Sequence, residues 1–278
     1  MRSLIQALVL LLVTTSMVGQ ELKLPSLSPS STITQEFSTS KIEVTYSRPS
    51  MRGRKVFGEL VPFGSVWRTG ANAATKITFA EDVQIGGRTI KPGTYSLYTV
   101  PSATEFEVII NGATGSWIPG GFPKSEDVVR LTVPAKTLDR DVETLTLQFS
   151  NITYSSCTID IMWERTMVSV PVLVSNQDRL VKAIDRAITN PNIPYQQAAT
   201  YLYESGQELE KALEYAGKAL ERNPNAYWLA MLKARIAAKL GRNDVAREAA
   251  NKTIELVRGT GAQAEYTKSA QDLINTLK

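Results

Sequence analysis

Cys157-Thr158-Ile159-Asp160-Ile161-Met162-Trp163-Glu164 sets Cys157, Ile159, Ile161 and Trp163 on one side of an extended chain and Thr158, Asp160, Met162 and Glu164 on the other. A period of two is the mark of a strand with one apolar and one polar face. After Pro171 the alternation stops. Asp178 to Ile188 instead reads as an amphipathic helix, stopped by Asn190-Pro191. The chain therefore divides into a β part and an α part, and the change of period locates the boundary.

Upstream of the quoted stretch the same alternation recurs from about Ile33. Ile42, Val44 and Tyr46 alternate with Glu43, Thr45 and Ser47, and Leu145, Leu147 and Phe149 with Thr144, Thr146 and Gln148. Gly86-Gly87 separates Val83–Ile85 from Arg88–Ile90, the composition of a two-residue hairpin. Pro92-Gly93 opens a further strand, Thr94 to Val100. Roughly nine or ten short strands at this spacing predict an antiparallel β-sandwich, jelly-roll-like, over residues 24–174. In that sandwich Cys157 is a small core residue by strand phase, rather than a nucleophile.

Downstream, the spacing predicts helices over Gln196 to Glu204, Leu209 to Arg222, Tyr227 to Leu240, Asp244 to Val257 and Ala262 to Leu277, about six in all with the first. Ala212-Leu213-Glu214 through Leu220-Glu221 superposes on Ala246-Arg247-Glu248 through Ile254-Glu255 at a displacement of 34, with Ala216 on Ala250 and Ala219 on Thr253. Residues 176–278 thus resemble tetratricopeptide repeats, whose period is 34 residues. Leu240-Gly241-Arg242-Asn243-Asp244 stands where that family turns between paired helices. Gly206 lies one residue further from Ala212 than Gly241 lies from Ala246, and Arg258 stands where the family has proline. An ordinary helical bundle is the alternative. Stacked helix pairs imply a concave face that docks a peptide or an envelope protein, with Tyr195, Tyr201, Tyr203, Tyr227 and Trp228 available to line it. Tyr201 and Trp228 read first as packed between the helices.

The opening residues carry export features. Arg2 supplies the charge, Leu4 to Val13 a short apolar run, and Thr14, Thr15, Ser16 and Gly19 the small residues of a cleavage zone. A signal peptide over 1–20 is expected, with no transmembrane segment after its removal, because the run is shorter than a bilayer span. Removing Arg2 from the 31 Lys+Arg leaves only a small excess over the 27 acids. That balance argues against nucleic acid as a partner. The chain has no histidine and one cysteine. Histidine-based triads and histidine- or thiolate-bound zinc are therefore excluded, leaving carboxylate, lysine, tyrosine or threonine chemistry, or an all-oxygen metal site. No constellation for proton transfer is legible, since Glu59, Glu81, Asp82 and Asp160 have no spacing that pairs them across a cleft. The expectation is no catalytic residue, no metal and no cofactor.

One cluster stands out: Trp67-Arg68-Thr69-Gly70-Ala71-Asn72, preceded by Arg48-Pro49-Ser50 and followed by Lys91-Pro92-Gly93-Thr94-Tyr95-Ser96-Leu97. Trp67 offers a flat apolar face, Arg68 a planar bidentate donor and Asn72 a paired donor and acceptor. Such groups hold sugars, carboxylates or peptide backbones, and Arg48 and Arg54 add positive charge nearby. The five are the candidate ligand-binding residues, for a small molecule or a glycan. The competing reading is a structural β-corner. There Trp67 is core, Arg68 ties down loop carbonyls or a carboxylate such as Glu59 or Asp82, Gly70 supplies a positive φ, and Asn72 caps the turn.

Residues 24 to about 174 resemble the domain of unknown function 2911 family. Tyr46-Ser47-Arg48-Pro49-Ser50, Gly53-Arg54-Lys55-Val56-Phe57-Gly58 and Leu60-Val61-Pro62-Phe63-Gly64 carry the likeness. Val66-Trp67-Arg68-Thr69-Gly70-Ala71-Asn72, Ala74-Thr75, Pro92-Gly93-Thr94-Tyr95-Ser96-Leu97 and Val168-Ser169-Val170-Pro171 complete it. The resemblance implies export, a β-rich fold and an origin among Bacteroidota or relatives, and no established activity. Where the family often has glutamate after the asparagine, this chain has Ala73. The expectation is an exported, periplasmic or outer-membrane-associated protein with a non-catalytic ligand-binding or assembly role. A carbohydrate-directed activity of the β domain is the alternative.

Overall fold

The computed structural model describes residues 24–115, 123–174, 176–188 and 194–277. The expected signal peptide and the Asn190-Pro191 helix stop lie outside the described residues. The β part holds β1 (Ser30–Phe37), β2 (Ser40–Ser47), β3 (Thr75–Phe79), β4 (Val83–Ile85), β5 (Arg88–Ile90), β6 (Gly93–Pro101), β7 (Glu105–Asn111), β8 (Asp127–Ser150) and β9 (Ser156–Val174). They form one nine-stranded sheet in the order β1-β2-β3-β6-β7-β8-β9-β4-β5, with every pairing antiparallel.

The strands are not all short, as expected from the sequence. β8 spans 24 residues and β9 spans 19. β8 is long because it serves two partners in turn. Asp127 to Pro134 pairs with β7, and Ala135 onward pairs with β9. Pro134, which has no N–H to donate, sits where one ladder gives way to the next. Register shifts between Thr137 and Val142, and between Val142 and Thr146, bend the strand further. Opposite Val142 lies Glu164, whose φ of 55° marks the same irregularity on β9.

Bending brings the two ends of the strand order over a common core. Ile42, Val44 and Ile77 from one end pack in the same cluster as Ile85, Ile161 and Val172 from the other. The chain after β2 closes the gap: Met51 N–H donates to Glu143 O (2.8 Å), Leu145 N–H to Pro49 O (2.9 Å), and Ser50 bridges Thr144. Tyr46 reaches across as well, its hydroxyl accepting from Leu147 N–H at 2.9 Å. The expected hairpin is present as β4 and β5, with Gly86 and Gly87 both at positive φ (58° and 75°), as a turn matched to strand twist requires. Cys157 is buried in the core.

Among the described residues six helices follow: α1 (Gln177–Ala187), α2 (Tyr195–Ser205), α3 (Leu209–Arg222), α4 (Tyr227–Lys239), α5 (Asn243–Leu256) and α6 (Gln263–Thr276). The internal repeat has a structural counterpart. Ala212 and Ala216 on α3 are as fully buried as Ala246 and Ala250 on α5, and Gly206 and Gly241 end α2 and α4 with the same φ of 71°. Thr253, in the place of Ala219, is buried because its hydroxyl donates to Ala249 O at 2.9 Å. Trp228 does not pack between helices as its spacing suggested. It stays 40% exposed, edge-on to Tyr227 at 5.1 Å.

The helices are joined to the sheet by a polar latch. Asn176, buried just before α1, donates through Nδ2 to Glu81 Oε2 (3.0 Å) and Ser38 Oγ (3.1 Å). Arg179 of α1 adds an ion pair to the same carboxylate. Nearby, the Tyr154 ring meets Tyr201 of α2 edge-on at 6.3 Å. Among the described residues, no helix is long and apolar enough to cross a membrane.

A candidate binding cleft beside Trp67

Trp67 is fixed on all sides. Its backbone exchanges two hydrogen bonds with Thr99 on β6, at 2.7 and 2.9 Å. Its indole stacks on Trp163 of β9 (centroids 5.8 Å, planes 21° apart), and Phe57 meets it edge-on at 6.0 Å. The indole N–H donates to Gly70 O at 3.0 Å. With 9% of its surface exposed, Trp67 belongs to the core.

The corner that follows is built as strand phase predicts, with Trp67 and Thr69 inward and Val66 and Arg68 half-buried. The turn chemistry differs from expectation. Gly70 is not at positive φ; Thr69 (53°) and Asn72 (59°) are. Glycine is needed at 70 for room, since a Cβ there would stand 3.1 Å from Ser47 O and 3.2 Å from Thr75 Oγ1. Thr75 secures the turn, its hydroxyl donating to Thr69 O (2.8 Å) and its N–H to Arg68 O (3.1 Å).

A cleft of about 370 Å³ opens beside this corner, and three of the five sequence candidates, Arg54, Trp67 and Arg68, line it. Arg54 is held by its own loop: Nε donates to Met51 O and Nη2 to Ser50 O, both at 2.8 Å, which leaves Nη1 for an incoming group. The other two candidates are engaged in the fold. Arg48 donates to Leu145 O (3.1 Å) and Thr146 Oγ1 (3.0 Å), tying the chain after β2 to β8. Asn72 is exposed and donates to Ser28 O (3.3 Å) and Ser47 Oγ (3.4 Å). Neither lines the cleft.

Sequence reasoning missed the apolar wall. Leu60, Val61, Pro62 and Val66 line the cleft, and Trp163 completes its floor. Leu60 remains 41% exposed and Phe63, next along, 45%. Period two could not find these residues because they lie in a loop, although Leu60-Val61-Pro62-Phe63-Gly64 is itself one of the blocks that carry the family likeness. That loop is anchored from below by Glu164, whose Oε2 accepts from Val56 N–H (3.3 Å) and Phe57 N–H (3.1 Å).

Among the described residues, no carboxylate lines the cleft. Of the acids weighed for catalysis, Glu59 pairs with Lys55 at 4.0 Å, Asp82 with Lys91 at 2.8 Å and Glu81 sits in the latch. Asp160 is buried and accepts from Ser150 Oγ at 2.6 Å. Among the described residues, no group of three or more Cys, Asp or Glu is placed to hold a metal ion. Burial pushes the Cys157 thiol up to about 11, so it stays protonated and unreactive at neutral pH.

No curated protein and no solved structure matches the chain. The family described as protein of unknown function, DUF2911, matches residues 28–172, which is just over half of the sequence and contains every residue of the cleft. The chain belongs to the DUF2911 family.

Proposed function

We propose that this is an exported, non-catalytic binding protein whose β domain holds a ligand in the cleft beside Trp67. One observation carries the proposal: Arg54, Trp67 and Arg68 meet at a single concavity with an apolar wall and, among the described residues, no carboxylate in its lining. A mostly apolar pocket with a few convergent polar groups is the usual form of a ligand site. Two guanidiniums can orient a guest, but they supply no base at neutral pH, which favours binding over turnover. The stacked Trp163 and the edge-on Phe57 occupy the surface of Trp67 that a sugar ring would need, so the carbohydrate-directed alternative draws no support from this cleft.

In this reading the nine strands fold over as two layers, a sandwich with jelly-roll-like bending, because β8 changes partners at Pro134. The helices form a tetratricopeptide-like domain, supported by the equivalent burial of Ala212 and Ala246 and the matching turns at Gly206 and Gly241. The exposed Trp228 and the Tyr203 and Tyr266 rings share one hollow with Arg235, which suits a peptide or protein of the cell envelope.

The test is a panel of small carboxylates, phosphates, sugars and neutral aromatic fragments, followed by tryptophan fluorescence. Binding that weakens in Arg68→Gln and is lost in the Trp67→Ala/Arg68→Ala double variant supports the cleft. Unchanged affinity in folded variants contradicts it.

A further inference from the structure

From the lining of a second hollow, where the helices meet the β domain, we infer a further ligand site, one that takes a neutral aromatic molecule carrying a hydrogen-bond acceptor. The site shares no described lining residue with the Trp67 cleft and does not depend on it. It begins with α1, whose apolar residues form an arc too wide for one neighbour. Val181, Ile184 and Ile188 pack against the helical core, while Leu180, Ala183 and Ala187 line a groove of about 400 Å³. All six are only half-buried. Across the groove α2 presents Ala198 and Tyr201, and the Ser38-Thr39 turn and Tyr154 close it from the β side. The space exists because alanines face it from both helices. Its volume lies in the usual range of small-molecule sites.

Charge decides what can enter. Among the described residues, every side chain that lines the groove is uncharged. The charges that reach Thr39, on Glu81 and Arg179, are paired with each other in the latch, and Ser38 is bonded to Asn176. A charged guest would therefore lose its hydration without gaining a counter-ion. Two phenols remain to orient a neutral one. Tyr154 and Tyr201 meet edge-on at 6.3 Å, and neither hydroxyl makes a hydrogen bond among the described residues. Burial raises the Tyr201 phenol above its ordinary value near 10, so it stays protonated and able to donate at neutral pH. A planar aromatic body can lie over the alanine methyls and meet the tyrosine rings, and a carbonyl on that body can accept from Tyr201. A pure hydrocarbon would desolvate the hydroxyl without pairing it.

The test uses the chain from residue 21 onward, so that the apolar run of the expected signal cannot hold the probe. Prodan, a neutral naphthyl ketone whose emission reports its surroundings, should bind saturably with a blue shift. Four competitors on one naphthalene body then separate the terms: 2-acetylnaphthalene, 2-ethylnaphthalene, 2-naphthoate and 2-naphthylmethylammonium. The neutral ketone should displace Prodan best, with the anion and the cation weaker by about tenfold or more. Tyr201→Phe should weaken 2-acetylnaphthalene by roughly three- to tenfold, the scale of one neutral hydrogen bond, and leave 2-ethylnaphthalene unchanged. Ala183→Leu/Ala187→Leu, which fills the groove from a half-buried helix face, should abolish binding of all four. No saturable Prodan binding, or equal displacement by the ketone and the naphthoate, would overturn the inference. So would binding that survives Ala183→Leu/Ala187→Leu but is lost in Arg54→Gln, since the probe would then sit in the Trp67 cleft. Sedimentation velocity covers the remaining occupant: a dimer that dissociates in Ala183→Leu/Ala187→Leu would give the groove to a second copy of the chain and overturn the inference as well.

Discussion

Trp67 and Trp163 stack with their centroids 5.8 Å apart, joining the loop that walls the cleft to a strand on the far side of the sheet order. The pair is both floor and fastening. Trp67→Ala removes a buried indole whose partners cannot fully collapse, so the β domain should lose about 3–5 kcal/mol. Trp67→Phe should cost less. Urea unfolding followed by near-UV circular dichroism measures both, and a loss under about 1 kcal/mol for the alanine variant would show that the stack does not support the fold.

Tyr46 links β2 to β8 through a single hydroxyl that accepts from Leu147 N–H at 2.9 Å. Tyr46→Phe leaves that buried amide without an acceptor, at a cost of about 1–3 kcal/mol. The exchange rate of the Leu147 amide should rise in step. A variant as stable as the parent, with Leu147 still protected, would mean the sheet closes without this bond.

Cys157 titrates far above neutrality, its thiol raised by burial from an ordinary value near 9 to about 11. A raised folded-state value means that the folded chain binds this proton more tightly than the unfolded chain. Its stabilising contribution is complete below about pH 9 and is lost as pH climbs from about 9 through about 11. Denaturation midpoints of wild type and Cys157→Ala should therefore differ by a constant amount from pH 7 to 9 and converge on the alkaline side. Parallel curves up to pH 11 would contradict the assignment. Native Cys157 should also resist alkylation at pH 8 until the protein unfolds.

Glu81 anchors the helices by accepting from Asn176 and pairing with Arg179. Glu81→Ala should free the start of α1 and speed tryptic cleavage at Arg179 or Lys182 by about tenfold, the effect expected for losing one or two hydrogen bonds to local opening. The far end of the sheet should keep its hydrogen-exchange protection. Unchanged cleavage would mean the helices are held by packing alone.

What could be read before the structure was what depends on neighbours in sequence. The alternation around Ile42–Tyr46 and Cys157–Trp163, the Gly86-Gly87 hairpin and the spacing of six helices are local signals, and each is found where expected. The two long strands were not legible, because β8 is divided by a change of partner at Pro134 that no local pattern records. The cleft was half legible. Arg54, Trp67 and Arg68 stand out by chemistry, but Arg48 and Asn72 carry the same chemistry and are used to close the fold instead. Which guanidinium becomes structural depends on the bend that brings Leu145 and Thr146 beside Arg48, contacts 97 and 98 residues apart along the chain.

The most direct measurement of the central claim is a nitrogen–proton NMR titration of the isotopically labelled protein with each member of the fragment panel, reading the indole N–H signals and the arginine Nε–H signals together. Binding in the cleft predicts saturable shifts at Trp67, Arg54 and Arg68 with one common dissociation constant, while the Trp228 indole stays still. Shifts confined to Trp228 and the helices, or no saturable shift at Trp67 with any member of the panel, would contradict it.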